Sequence, residues 1–341
     1  MYIATIDSGT TNSRVYIVNE QAEVLSKATE TVGVKDTAIT GSRESLKQGI
    51  KRCFHTAMEN IGITEKDIHL VLSSGMITSE IGLIEIPHLV APVHIDDLAE
   101  HMLRVHDLEV FPIDLPVHFV RGIKNPYDPD HIPNKEVGTL DFMRGEEAQV
   151  AGLLTHVKPH LPVTIVVLSS HTKFIPITGD GSILGSITTM SGQTYAAIKK
   201  ETFIGKSIAP ETAFDNSTYF DEETVDNAVH WCEKTGFIRS LMMPRFLDTL
   251  LKTEWYEREL FVESLIAAED MAALNVFDEL GYPVNTDYIL IGSPRRCMIY
   301  EHILKQKIGQ SGSVHRITKT EEIDSLSIHG VINLAKRKGI L

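Results

Sequence analysis

The strand pattern of this chain starts twice. "YIATID", residues 2–7, is an apolar strand pattern that breaks at "SGTTN" and returns as "SRVYIV". About 160 residues later "PVTIVVL" breaks at "SSHTK", returns through "FIPIT", and turns at "GDG" into a third strand pattern. Such a second start predicts two lobes of related design instead of one continuous sheet. In the first lobe a turn over Asn19 to Glu23 leads into "VLSKAT", which makes three antiparallel strands. A helix is predicted over 42–61, where Leu46, Ile50, Phe54, Ala57, Met58 and Ile61 recur at three- and four-residue spacing. "IHLVLSSGM" then reads as a buried strand ending in a small-residue loop, which gives the order β-β-β-α-β.

The rest of the second half reads as largely helical, with a long apolar-periodic segment over 257–280, then a buried strand "YILIGS", a helix over 296–308, a short strand near "VHRIT" and a closing helix over 321–337. The segment from Phe119 to Thr139, with "NPYDPDHIPNKEVG", predicts a long irregular loop of the kind used for binding. The expected fold class is therefore α/β. Two lobes, each with a mixed sheet and flanking helices, are expected around a central cleft, over residues 1–140 and 141–341.

Charge and cysteine usage narrow the function classes. With 32 basic against 46 acidic side chains the formal net charge is −14, and no basic face is evident, so nucleic acid is not an expected partner. Lys336, Arg337 and Lys338 read as the favourable cationic end of a helix. Cys53, Cys232 and Cys297 stand far apart in no CxxC arrangement, which points to a reducing, cytoplasmic setting and to no thiolate metal site. No apolar run reaches the ~18 residues of a membrane span and no secretory leader pattern opens the chain, so a soluble protein that is not exported is expected. The fifteen histidines are scattered, without metal-ligand spacing.

Chemistry concentrates in the two turns and in one helix start. Ser8, Gly9, Thr10, Thr11 and Asn12 can point hydroxyls and backbone N–H groups at a phosphate chain, with Gly9 admitting close approach. Asp7, at the strand end, can hold a hydrated magnesium ion or simply cap the turn. The Walker pattern is absent, which excludes a P-loop protein. In the second turn Ser170, His171 and Thr172 form the matching set. There Lys173 either brings positive charge to a transferred group or snorkels to water. "DFMRGEEAQ" places Glu146 and Glu147 in the first turn of a helix just before the second lobe, where they serve as a general base or as partners of the helix dipole.

The order "DSGTTNSR", an acid after glycine at an inter-lobe helix, a second hydroxyl-rich hairpin and the late "YILIGS" resembles the sugar kinases of the actin and hexokinase superfamily. A closer likeness runs nearly end to end, to the 2-dehydro-3-deoxygalactonokinases. It is carried by "SGMITSEIG" (74–82), "MRGEEAQ" (143–149), "SHTKF" (170–174), "TTMSG" (188–192) and "ESLIAAED" (263–270), with "MRGEEAQ" the most specific piece. The resemblance implies two actin-like, ribonuclease H-like lobes and transfer of the γ-phosphoryl group of ATP to a primary hydroxyl of a sugar acid. On that reading Asp7 serves Mg2+, and Thr10, Thr11 and Asn12 serve the phosphates. Gly292 and Ser293 serve the adenosine side, and Glu146, in preference to Glu147, is the base. Gly75, Met76 and Ser79 form a sugar-contacting turn whose alternative is a bare strand-end loop. Arg144 is the nearest group to meet a carboxylate; it would otherwise steady the phosphate or pair with a glutamate. A homodimer is left open.

The chain departs from the family pattern in four places. Ser169 and Ser170 replace a usual glycine and threonine, Phe174 a usual tryptophan, Gln193 a usual acid, and Ala267 a frequent glycine. Two alternatives therefore stand beside the kinase of 2-dehydro-3-deoxygalactonate or a close sugar acid. One is a nucleotide-binding actin-like regulator without efficient chemistry, and the other is a kinase of a neutral sugar.

Overall fold

The computed structural model describes residues 1–341 except 129, 131–133 and 309–311. Its strands are β1 (Tyr2–Ser8), β2 (Ser13–Val18), β3 (Val24–Glu30), β4 (Ile68–Gly75), β5 (Leu89–Val90), β6 (Leu103–Val105), β7 (Val117–Phe119), β8 (Ile123–Lys124) and β9 (Phe142–Met143), followed by β10 (Val163–Val167), β11 (Thr172–Ile177), β12 (Ile187–Thr189), β13 (Asp287–Ile291) and β14 (Val314–Ile317). Among the described residues they form a six-stranded sheet in the order β3-β2-β1-β4-β7-β6, a five-stranded sheet β12-β11-β10-β13-β14 and a small sheet β5-β8-β9. In each large sheet an antiparallel hairpin is extended by a parallel strand: β1 pairs antiparallel with β2 and parallel with β4, and β10 pairs antiparallel with β11 and parallel with β13. The twofold start of the sequence is thus a twofold start of the fold.

The central strands are apolar on both faces because each face feeds a different core. Along β1, Ile3 joins one cluster while Ala4 and Ile6 join another; along β10, Ile165 and Val167 join the first cluster while Val166 faces a third. The shared cluster lies between the two large sheets. It is completed by the linker helix Glu146–Gly152 and the closing helix Thr320–Lys338 through Val150, Ala151, Leu326, Ile328, Val331 and Leu334. These two helices cross in close contact, since a Cβ on Gly330 would stand 1.9 Å from the carbonyl oxygen of Ala148. Although it is last in the chain, the closing helix also packs on the helix Ile95–Glu100 of the first half. It therefore ties the two sheets together.

One sequence expectation gains a boundary and another needs correction. The periodic segment over 257–280 is two helices, Trp255–Asp270 and Ala273–Leu280. Apolar spacing runs through the break because Met271, Leu274 and Phe277 all enter the same core, so the pattern carries no mark of it. The loop over 119–139 is only partly irregular, as it contains β8 and a 3-10 turn at Asn134–Thr139. Residues 129 and 131–133 of that stretch lie outside the described residues. No helix among the described residues is long and apolar enough to cross a membrane.

Candidate active site

The two hairpin turns and the start of the linker helix meet at one cleft of about 410 Å³. Its wall includes Asp7 and Ser8 to Asn12 from the first hairpin, Gly75 and Met76 from the end of β4, Arg144 to Glu146, and Ser170, His171 and Lys173 from the second. β1 and β4 run parallel and in register, Ser8 beside Gly75, so both strand ends arrive at the cleft floor together. The sheets can approach there because two glycines stand back to back. Gly75 has φ +95° and Gly145 φ +111°. A Cβ on Gly145 would lie 3.3 Å from the Cα of Gly75, and one on Gly75 would lie 2.7 Å from the Ser8 carbonyl oxygen and 3.1 Å from Asp7 Oδ1. Both positions require glycine in conformation and in space.

In the first turn Gly9 N–H donates to Asn12 O at 2.9 Å, and the chain entering the following helix holds the turn from behind: Val34 N–H donates to Gly9 O at 3.2 Å and Lys35 N–H to Thr10 O at 2.9 Å. The amides of Thr10 and Thr11 have no backbone acceptor among the described residues, which leaves them available to an anion. Ser8 lines the cleft with backbone only, because its hydroxyl is buried against Ser13 Oγ at 2.9 Å.

Asp7 Oδ2 accepts from Arg14 at 3.3 Å, and Asp7 Oδ1 is held beside Gly75. Desolvation raises the Asp7 carboxyl above its ordinary range, Arg14 opposes that, and Asp324 adds to it. A lone carboxylate beside free amides and hydroxyls fits a magnesium ion, which takes one or two carboxylates together with phosphate oxygens and water. The Glu146 carboxyl is likewise raised by burial and opposed chiefly by the Lys173 ammonium. Its Oε2 is buried without a partner among the described residues. An orphaned carboxylate oxygen in a cleft wall is what a group kept free to take a proton looks like.

Glu147 has a different part. Both its oxygens accept the Gly145 N–H, at 2.9 and 2.8 Å, and its side chain is almost fully buried. Burial, with Glu146 adjacent, pushes its carboxyl up to about 8. Of the two glutamates only Glu146 lines the cleft. Lys173 donates to Phe142 O at 2.9 Å and to Thr188 Oγ1 at 2.8 Å, so its ammonium is fixed at the cleft edge instead of reaching to water.

Four expected site residues do not line the cleft. Thr172 is fully buried, and its hydroxyl shares a hydrogen with Ser191 Oγ at 2.6 Å and accepts from Arg296 at 2.9 Å. It stands next to Lys173 on a strand, so the two side chains leave opposite faces. Ser79 Oγ donates to Met76 O at 2.7 Å and closes the turn behind Met76. Gly292 packs against Leu168, whose Cβ would be 2.8 Å from an added Cβ, and the exposed Ser293 accepts through its carbonyl from Cys297 N–H at the start of the helix Pro294–Ile308. Arg144 lines the cleft, yet its guanidinium is engaged behind it: Nη1 donates to Thr78 Oγ1 at 2.7 Å and Nη2 to Ile86 O at 2.6 Å.

Sequence reasoning also left site residues unassigned. Arg14 pairs across the hairpin from Asp7, a register that follows from the four-residue turn. Gln149 stands three residues after Glu146, on the same helix face, and lines the cleft. Arg296 braces the second hairpin by donating to Ser169 O and Ser191 Oγ, both at 2.8 Å; no local motif marked it.

The family model for 2-keto-3-deoxy-galactonokinase matches residues 7–325, from the first hairpin into the closing helix. The chain belongs to the 2-keto-3-deoxy-galactonokinase family. A curated relative from Rhizobium meliloti (strain 1021), described as a 2-dehydro-3-deoxygalactonokinase, is 24% identical over 217 residues, and the match spans 62% of this chain and 61% of that relative. A crystal structure from Sinorhizobium meliloti, given the same description, superposes with a TM-score of 0.72 at 20% identity over 98% of each chain. The fold is also similar to component A of the (R)-2-hydroxyglutaryl-CoA dehydratase of Acidaminococcus fermentans, with a TM-score of 0.50 and 12% identity over 99% of each chain. The two-sheet α/β architecture is thus shared with both of these structures.

Proposed function

We propose that the protein is an ATP-dependent kinase that phosphorylates the primary hydroxyl of 2-dehydro-3-deoxy-D-galactonate, or of a closely related sugar acid, to give the 6-phosphate and ADP. One observation carries the reading. Asp7 and Glu146, whose buried Oε2 has no partner among the described residues, line the same cleft, and that cleft is walled by both hairpins of a chain that belongs to this family. The free amides of Thr10 and Thr11, with Asn12 beside them, would hold the phosphates, with Ser170 and His171 closing from the other lobe. Asp7 would hold Mg2+, which supplies charge neutralisation between the phosphates. The acceptor oxygen forms the new bond to the γ-phosphorus, the bridging oxygen leaves with ADP, and the hydroxyl proton passes to Glu146. Lys173, fixed between Phe142 O and Thr188, keeps Glu146 ionised enough to accept that proton and faces the charge that moves during transfer.

The test is coupled ADP release over a panel of sugar acids and matched neutral sugars. The reading expects Mg2+-dependent ADP formation with 2-dehydro-3-deoxygalactonate or a near stereoisomer. Turnover confined to aldoses or polyols, or nucleotide binding without transfer to any acceptor, would overturn it.

A further inference from the structure

Beyond Phe142 and Lys173 the cleft opens into a second chamber, of about 670 Å³, between the small β5-β8-β9 sheet and the second hairpin. It shares Thr10, Met76, His171 and Lys173 with the cleft, so a molecule with one end at Glu146 can extend into it. Its own wall carries Lys124, His88 and Asp141. The acid there is already satisfied: Asp141 accepts from the Thr188 N–H, from Thr188 Oγ1 at 2.7 Å and from Ser186 Oγ at 3.2 Å, and it lies beside the Lys173 charge.

The donors are not satisfied in the same way. Lys124, at the end of β8, lies over the Tyr127 ring with its ammonium 4.8 Å from the centroid, and it forms no ion pair among the described residues. A half-buried ammonium that rests on an aromatic face still has hydrogens to give. His88 takes its tautomer from Arg144. A guanidinium can only donate, so at 3.4 Å the Nδ1 of His88 is the acceptor and the ring proton sits on Nε2. Burial and the neighbouring cations, Arg144 first, push this imidazole down to about 4, so it is neutral at working pH. Its Nε2 is buried and has no partner among the described residues.

We propose that this chamber seats the anionic end of the acceptor, with Lys124 reading its carboxylate and the His88 imidazole lending a further donor. Arg144 is then a positioning residue that orients His88, not the ligand of the carboxylate. The assignment rests on the acceptor-kinase reading above and deepens it: the carboxylate is selected about one chamber away from the atom that is phosphorylated.

The experiment compares wild type, Lys124→Met, Lys124→Arg and His88→Phe. Binding of 2-dehydro-3-deoxygalactonate, and of the same molecule with its carboxylate reduced to an alcohol, is measured by calorimetry alongside KM and kcat from ADP release. Loss of a charge-assisted contact predicts that Lys124→Met weakens the acid by about 10- to 100-fold. Affinity for the alcohol should stay within about 2-fold, with ATP affinity unchanged, and Lys124→Arg should recover most of the loss. His88→Phe should raise KM for the acid with little change in kcat. Equal weakening of acid and alcohol by Lys124→Met, or no weakening of either, overturns the proposal. If ADP forms from the acid but Lys124→Met leaves its KM unaltered, only this assignment falls. If the acid binds, is weakened selectively by Lys124→Met and is never phosphorylated, only the kinase reading falls.

Discussion

Gly75→Ala is the most demanding perturbation of the cleft floor. The residue sits at φ 95°, ψ −164°, a region that is essentially confined to glycine, and holding an alanine there costs about 1–3 kcal/mol. The added methyl would also stand 2.7 Å from the Ser8 carbonyl oxygen. That oxygen belongs to β1, which is paired on both sides, so it has little room to withdraw; overpacking of this kind adds about 1–3 kcal/mol. The expected total of about 2–6 kcal/mol corresponds to a fall in Tm of roughly 4–12 °C at roughly 2 °C per kcal/mol. Because the methyl would also crowd Asp7 Oδ1 at 3.1 Å, kcat/KM should fall by at least about 10-fold in the molecules that remain folded. Thermal melts followed by circular dichroism, with coupled ADP release well below Tm, measure the two effects separately. A variant with Tm within 1 °C and kcat/KM within about 2-fold of wild type would refute the close approach of β1, β4 and the linker helix.

Two further substitutions separate the roles of neighbouring charges. Glu147 holds its proton up to about 8 in the folded protein, against a reference value of 4.5. The unfolded chain therefore releases that proton first as pH rises, and folding stability falls between about pH 4.5 and 8 by up to about 1.4 kcal/mol per pH unit. Glu147→Gln keeps the acceptor for Gly145 N–H and removes this slope, so its stability relative to wild type should rise across that window in urea titrations and then level off; a constant difference would contradict the assignment. Lys173→Met takes away the main influence that holds the raised Glu146 carboxyl down, so the acidic limb of the kcat/KM profile should move to higher pH as kcat drops. A limb that stays in place would separate Lys173 from Glu146.

The hairpins were legible because apolar alternation and hydroxyl-rich turns are local signals, and β1-β2 and β10-β11 lie where those signals put them. The linker helix was legible from its acidic first turn, and of its two glutamates only Glu146 lines the cleft. Reading "SHT" as a run of three phosphate ligands failed at Thr172, since a strand alternates its faces and this hydroxyl turns inward to Ser191 and Arg296. Ser79 was misread for a related reason: a hydroxyl at the end of a tight turn is consumed by the turn itself. Lys124 and His88 left no trace in the pattern. They flank or sit in strands of two residues, too short for any period, and only the pairing of β5 with β8 and β8 with β9 brings them to one wall.

The measurement that bears most directly on the account is the turnover of Glu146→Gln, taken with its affinity for ATP. If this carboxylate takes the acceptor proton, kcat should fall by about 10²- to 10⁴-fold while nucleotide binding and Tm stay near wild type. A kcat within about 3-fold of wild type, on a phosphorylatable sugar acid, would contradict it.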